Sequence, residues 1–88
     1  LSVKKSNKTR KPPVRNDKLL KEFGINLRKI RKQKGITQEH LAFEIELEIS
    51  QISRIERGML NTTISTAYEI ASALNVDLKD LFDFSKKD

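Results

Sequence analysis

The chemistry available to this chain is set by a few side chains. The single histidine, His40, and the absence of cysteine leave no thiolate or multi-imidazole set to hold a metal ion. The carboxylates are spread along polar stretches, with no hydroxyl or thiol nucleophile beside a base and no glycine loop to cradle a phosphate. No catalytic residue, cofactor or small-molecule ligand is therefore expected, and His40 reads as a surface helix residue. The segment 50–54, Ser-Gln-Ile-Ser-Arg, is of a different kind. An arginine fork pairs with guanine O6 and N7, a glutamine amide with adenine, and serine hydroxyls with either. Those residue types read base edges.

Charge is distributed to match. Of the net +6, residues 1–18 carry seven Lys/Arg against Asp17 alone, and residues 19–34 add six basic side chains against Glu22. Residues 35–88 reverse the balance, with five basic against ten acidic. A basic front suits a polyanionic partner, because cations that neutralise phosphates release condensed counterions; solubility explains the same charge equally well.

The elements that would position these groups follow from apolar spacing. Residues 1–17 hold few apolar side chains, two adjacent prolines and dense like charge, too little to repay ordering, and read as a disordered basic arm. From an N-cap at Asn16 or Asp17, Leu20, Phe23, Leu27 and Ile30 mark one helix face, so a helix is expected over about 18–34, crossed by Gly24 at a cost of roughly 1 kcal/mol and ended at Gly35. Thr37 caps a second helix that buries Leu41, Ala42 and Ile45. After a break at 46–48 a third runs over about 49–57 with Ile52 and Ile55 inward, leaving Ser50, Gln51, Ser53 and Arg54 outward. A fourth is expected over 64–74, ending on Asn75, and a short fifth after Asp77, with residues 85–88 a frayed tail. The sum is an all-α class of five helices: a domain over 18–84 behind an arm. No apolar run approaches the roughly 20 residues of a membrane span, so a cytoplasmic chain is expected.

Residues 35–58, GITQEHLAFEIELEISQISRIERG, resemble the lambda-repressor-like helix-turn-helix family (the Cro and repressor type, or XRE family). Gly35, Thr37, Gln38, Glu39, Leu41, Ala42, Ile52, Ser53, Ile55, Glu56 and Gly58 stand where its pattern places them. The similarity extends to about residues 19–84. It implies a five-helix DNA-binding domain acting as a transcriptional regulator on double-stranded, palindromic DNA as a homodimer, with the third helix in the major groove. On that resemblance Ile49, Ser50, Gln51, Ser53 and Arg54 are base-contact candidates, and Gln38, Arg57, Asn61, Thr62 and Thr63 phosphate-contact candidates. Arg31 and Glu56 form a structural ion pair. The arm, with Arg10 and Lys11, either tracks the minor groove or backbone or is an uninvolved tail. Leu78, Leu81, Phe82 and Phe84 either form the dimer interface or close the monomer core.

Three positions depart from the family pattern. Glu46 stands in the turn where glycine is frequent, so left-handed geometry there is strained and a different turn is open. Glu48 replaces the common Ser or Thr cap, and Ile49 an often polar contact. With Glu44, these acids form a stripe that argues for the alternative function: a protein-interaction or antitoxin-like module that keeps the helix-turn-helix as scaffold.

Overall fold

The computed structural model describes residues 14–84, so residues 1–13 of the expected disordered arm, the Arg10 and Lys11 contacts and the frayed tail at 85–88 lie outside the described residues. Of the rest of that arm, Val14 and Arg15 are hydrogen-bonded to the domain, Asn16 caps the first helix and Asp17 begins it. Five helices follow in order: α1 (Asp17–Gln33), α2 (Gln38–Glu44), α3 (Ile49–Glu56), α4 (Ile64–Leu74) and α5 (Leu78–Leu81). No strand occurs among the described residues.

α1, α2 and α4 each start on a side chain that caps them. Asn16 accepts from the Leu19 N–H, Thr37 from that of His40 and Thr63 from that of Thr66, each satisfying one of the donors a first turn leaves open. Lys34 closes α1 just before Gly35 at φ 71°, Arg57 closes α3, and Asn75 ends α4 in the left-handed region at φ 58°. The turn between α2 and α3 resolves the question raised by Glu46. The residue adopts φ 57°, and the Leu47 N–H returns to the Ala42 carbonyl at 2.9 Å. The glycine-type turn is kept, with a glutamate bearing its strain.

Leu27, Leu41, Ile52, Ile55, Ile70, Leu74 and Leu81 are fully buried and fill the space between the helices, with Phe23, Ala42, Ala67 and Ala71 around them. Ile45, expected inside, is only half-buried at the end of α2. Leu81 has no exposed surface and therefore cannot serve a dimer interface; Leu78 and Phe84 pack against the same core. Of the four residues considered for that role, Phe82 is the most exposed, its ring 5.1 Å from that of Phe23, while Leu78 and Phe84 are half-buried.

Two tertiary joints went unread in the sequence. The Asn26 amide on α1 donates to the Asp80 and Leu81 carbonyls at 2.9 and 2.8 Å, tying the short last helix to the first. Gly24 sits where α1 crosses α3. A Cβ there would strike the Glu56 carbonyl oxygen and stand 2.5 Å from that of Ile55, so the residue is required by close backbone approach rather than merely tolerated.

Candidate nucleic-acid interface

α3 is held by its inward face. Ile52 and Ile55 are 0% and 1% exposed, which leaves the helix no freedom to rotate without emptying the core. Ala42 on α2 is buried, as a position where two helices cross closely requires. With the register set this way, Ile49, Ser50 and Arg54 lie exposed, and Gln51 and Ser53 are half-buried beside them.

Arg31 and Glu56 meet in a bidentate pair: Nε donates to one carboxylate oxygen at 2.5 Å and Nη2 to the other at 3.0 Å. Their side chains are 8% and 1% exposed. The guanidinium also donates from Nη1 to the Ile36 carbonyl at 2.8 Å, and Glu56 accepts a further bond from the Gln38 amide at 2.9 Å. Every polar atom of this buried group thus finds a partner, the condition under which a desolvated ion pair is tolerated. The network links α1, the 34–37 loop, α2 and α3. It sets the angle between the two helices of the motif and holds Gln38 at the first position of α2, beside helix N–H groups that lack intrahelical partners.

Several candidate contact residues are already engaged. The Gln51 carbonyl oxygen accepts the Glu48 N–H at 2.9 Å, fastening the start of α3 and leaving the amide N–H₂ for an acceptor on a base. Glu48 thus enters α3 with its own N–H satisfied by the side chain three residues on. Ser53 accepts from Arg57 Nε at 3.3 Å, and Arg57 reaches on to the Met59 sulfur. Thr62 donates to the Leu60 carbonyl at 3.3 Å, while Thr63 is occupied as the α4 cap. Asn61 does not point its amide outward: Nδ2 donates to the Val14 carbonyl at 2.9 Å, and Arg15 donates to the Met59 carbonyl at 3.1 Å. The segment before α1 is thereby stitched to the α3–α4 loop.

The acids of the stripe are spread over three places: Glu44 is exposed on α2, Glu46 in the turn and Glu48 directly before α3. Glu39, His40 and Phe43 are exposed on α2 with Glu44, with His40 Nε2 3.8 Å from Glu44 and Phe43 80% exposed. A separate apolar groove runs between the start of α1, the start of α4 and Phe82, lined by Leu19, Phe23, Ala67 and Ile64 with Asn61, Thr62 and Thr63 at its rim. Among the described residues, no group of His, Asp or Glu is placed to hold a metal ion, and no helix is long and apolar enough to cross a membrane.

Comparison with known proteins agrees with this geometry. A family model described as helix-turn-helix matches residues 27–81. The control protein C.BamHI of Bacillus amyloliquefaciens is 45% identical over 64 residues, covering 72% of this chain and 79% of that protein. The restriction-modification controller protein C.AhdI of Aeromonas hydrophila superposes with a TM-score of 0.70 at 38% identity, over 72% of this chain and 96% of that one. The controller protein C.Esp1396I, solved as a tetramer on its natural 35 base-pair operator, gives a TM-score of 0.67 at 38% identity, over 74% of this chain and 86% of that one.

Proposed function

This chain belongs to the helix-turn-helix family, and from that premise we propose that it is a transcriptional regulator that binds double-stranded DNA sequence-specifically, with α3 in the major groove. One observation carries the reading: α3 is locked by Ile52 and Ile55 while its other face presents Ser50, Gln51 and Arg54 in the register that groove readout needs. Arg54 is the candidate for guanine and Gln51, through its free N–H₂, for an acceptor edge. Gln38 flanks α3 as a phosphate contact, and Thr62 and Thr63 join it when their hydroxyls exchange the Leu60 carbonyl and the Thr66 hydroxyl for phosphate oxygens. Ile49, 45% exposed at the start of α3, suits a thymine methyl. The protein acts in the cytoplasm and performs no catalysis.

Two copies act together on a palindrome, with half-sites about 34 Å apart. The α1–α4 groove supports this arrangement better than α5 does. Ile64 stands 79% exposed beside it and Tyr68 58% exposed one turn on, so the same surface offers both a knob and a recess. Such self-complementarity is what a two-fold interface requires. The similarity to C.BamHI, C.AhdI and C.Esp1396I favours a controller role for restriction-modification genes.

The test is selection from a randomised duplex library at about 50 and about 200 mM salt, wild type against Arg54→Ala. Wild type enriches a palindrome, and Arg54→Ala loses about 1–3 kcal/mol of discrimination at one base pair of each half-site. If nothing is enriched and both proteins bind equally weakly at either salt, the regulator reading fails and the protein-interaction module, using Ile49 and the acids Glu44, Glu46 and Glu48, replaces it.

A further inference from the structure

A glutamine with an unengaged amide reads adenine through both of its ends, the oxygen accepting from N6 and the nitrogen donating to N7. Gln51 is not unengaged. Its Oε1 accepts the Glu48 N–H at 2.9 Å, which turns the oxygen back onto the start of α3. A backbone N–H can only donate, so the amide cannot flip without giving up that bond, and the N–H₂ end is the one left for a ligand. The side chain is half-buried, with Ser50 and Arg54 exposed on the same helix. Rotation of α3 cannot change what it presents, because Ile52 and Ile55 are fixed in the core.

We propose that the Glu48 N–H restricts Gln51 to donating, so that at the base pair facing Gln51 this protein selects guanine and discriminates against adenine. The inference rests on the DNA-binding reading and names the base that one side chain of that site takes. In the major groove guanine presents two neighbouring acceptors, N7 and O6, whereas adenine sets the N6 donor beside its N7 and thymine offers O4 alone. An N–H₂ group suits both guanine acceptors; against adenine it meets one acceptor and one like donor. To read adenine by both amide ends, the oxygen must swing to the base edge and break its bond with the Glu48 N–H, a loss worth roughly two- to tenfold. Glu48 is then a positioning residue that acts through its backbone and not through its carboxylate.

The experiment is selection from a randomised duplex library with the full chain as wild type, Gln51→Ala, Glu48→Ala and Glu48→Pro. Gln51→Ala identifies the base pair concerned: discrimination there is expected to fall by about 5- to 150-fold, the worth of one good side-chain pair with a base edge, while the pair read by Arg54 is kept. Wild type is expected to select guanine at the pair so identified. Glu48→Ala removes the carboxylate and keeps the N–H, so the guanine preference stays. Glu48→Pro removes both, and the φ of −77° at residue 48 suits the proline ring. In that variant the guanine-to-adenine ratio is expected to fall by roughly two- to tenfold below that of Glu48→Ala. Adenine selected by wild type at that pair overturns the proposal, as does a ratio that moves equally in the two Glu48 variants or a Gln51→Ala protein that loses preference at no pair. The comparison of wild type with Gln51→Ala decides the base by itself, so a Glu48→Pro chain that misfolds does not shelter the idea. Failure of the wild type to enrich any sequence is a different result and removes the regulator reading itself.

Discussion

Glu46 and Asn75 both adopt a left-handed backbone, and Glu46 bears the greater strain, since asparagine tolerates that region. A left-handed backbone costs an L-residue about 1–2 kcal/mol, and glycine, which avoids that cost, gives back part of it as unfolded-state entropy. With φ at 57° and the Leu47 N–H bound to the Ala42 carbonyl, the turn needs that conformation. Glu46→Gly should therefore stabilise the protein by about 1 kcal/mol in urea unfolding; an unchanged or lower midpoint would show that the glutamate side chain offsets its own strain. The Arg31–Glu56 pair makes the opposite kind of prediction. Removing one member leaves a desolvated charge, so Arg31→Met should cost about 3–5 kcal/mol by the same measurement, whereas Arg31→Met combined with Glu56→Leu should recover much of it. A double variant whose loss equals the sum of the losses in Arg31→Met and Glu56→Leu alone would mean the pair is not coupled. The residues of this network were legible from their positions in the family pattern. The bond from Gln38 to the same carboxylate was not, because an i to i+18 contact depends on how α2 leans on α3.

Among the elements, the crossing of α1 and α3 decides the geometry of the motif. Judged by helix propensity alone, Gly24 is a defect in α1, and replacing it with alanine would gain roughly 1 kcal/mol. The structure reverses that sign. A methyl group at residue 24 would collide with the backbone at Ile55 and Glu56, which cannot yield without moving the last turn of α3. Gly24→Ala is accordingly expected to destabilise by at least about 2 kcal/mol in thermal or denaturant unfolding and to weaken operator binding beyond what the lost stability explains. A more stable variant would show that α1 and α3 separate freely. Gly58 repeats the arrangement one turn along α1, where its φ of 74° and the nearby Lys21 backbone both exclude a side chain.

For the whole molecule, the arrangement of surfaces matters more than the total charge. The front of the chain is basic, the outer face of α2 is acidic, and the groove between α1 and α4 is lined by no charged side chain. An uncharged groove bordered by exposed Ile64 and Tyr68 is expected to be covered by a second copy. Ile64→Glu should shift the protein from dimer to monomer in sedimentation and raise the concentration needed to occupy a full palindrome by at least tenfold, without changing unfolding of the monomer, since the residue is exposed. A dimer that persists would send the search for the interface back to Phe82 and the end of α5.

Periodicity, caps and the family pattern determined most of the architecture from the sequence alone. The limits of α4, the Thr37 and Asn75 ends, and the inward turn of Ile52 and Ile55 all depend on interactions within a few residues, which one-dimensional spacing records. Outward placement of Ser50 and Arg54 followed from that register. Tertiary structure alone decided which residues are shared between distant segments. Leu81 is consumed by the core, Asn61 is turned to Val14, Asn26 is turned to the end of α5, and Gly24 is required by the backbone of α3. Each of these is a packing or hydrogen-bond choice between positions about 30 to 55 apart or a matter of available space, and no local pattern of residue types encodes how two helices approach.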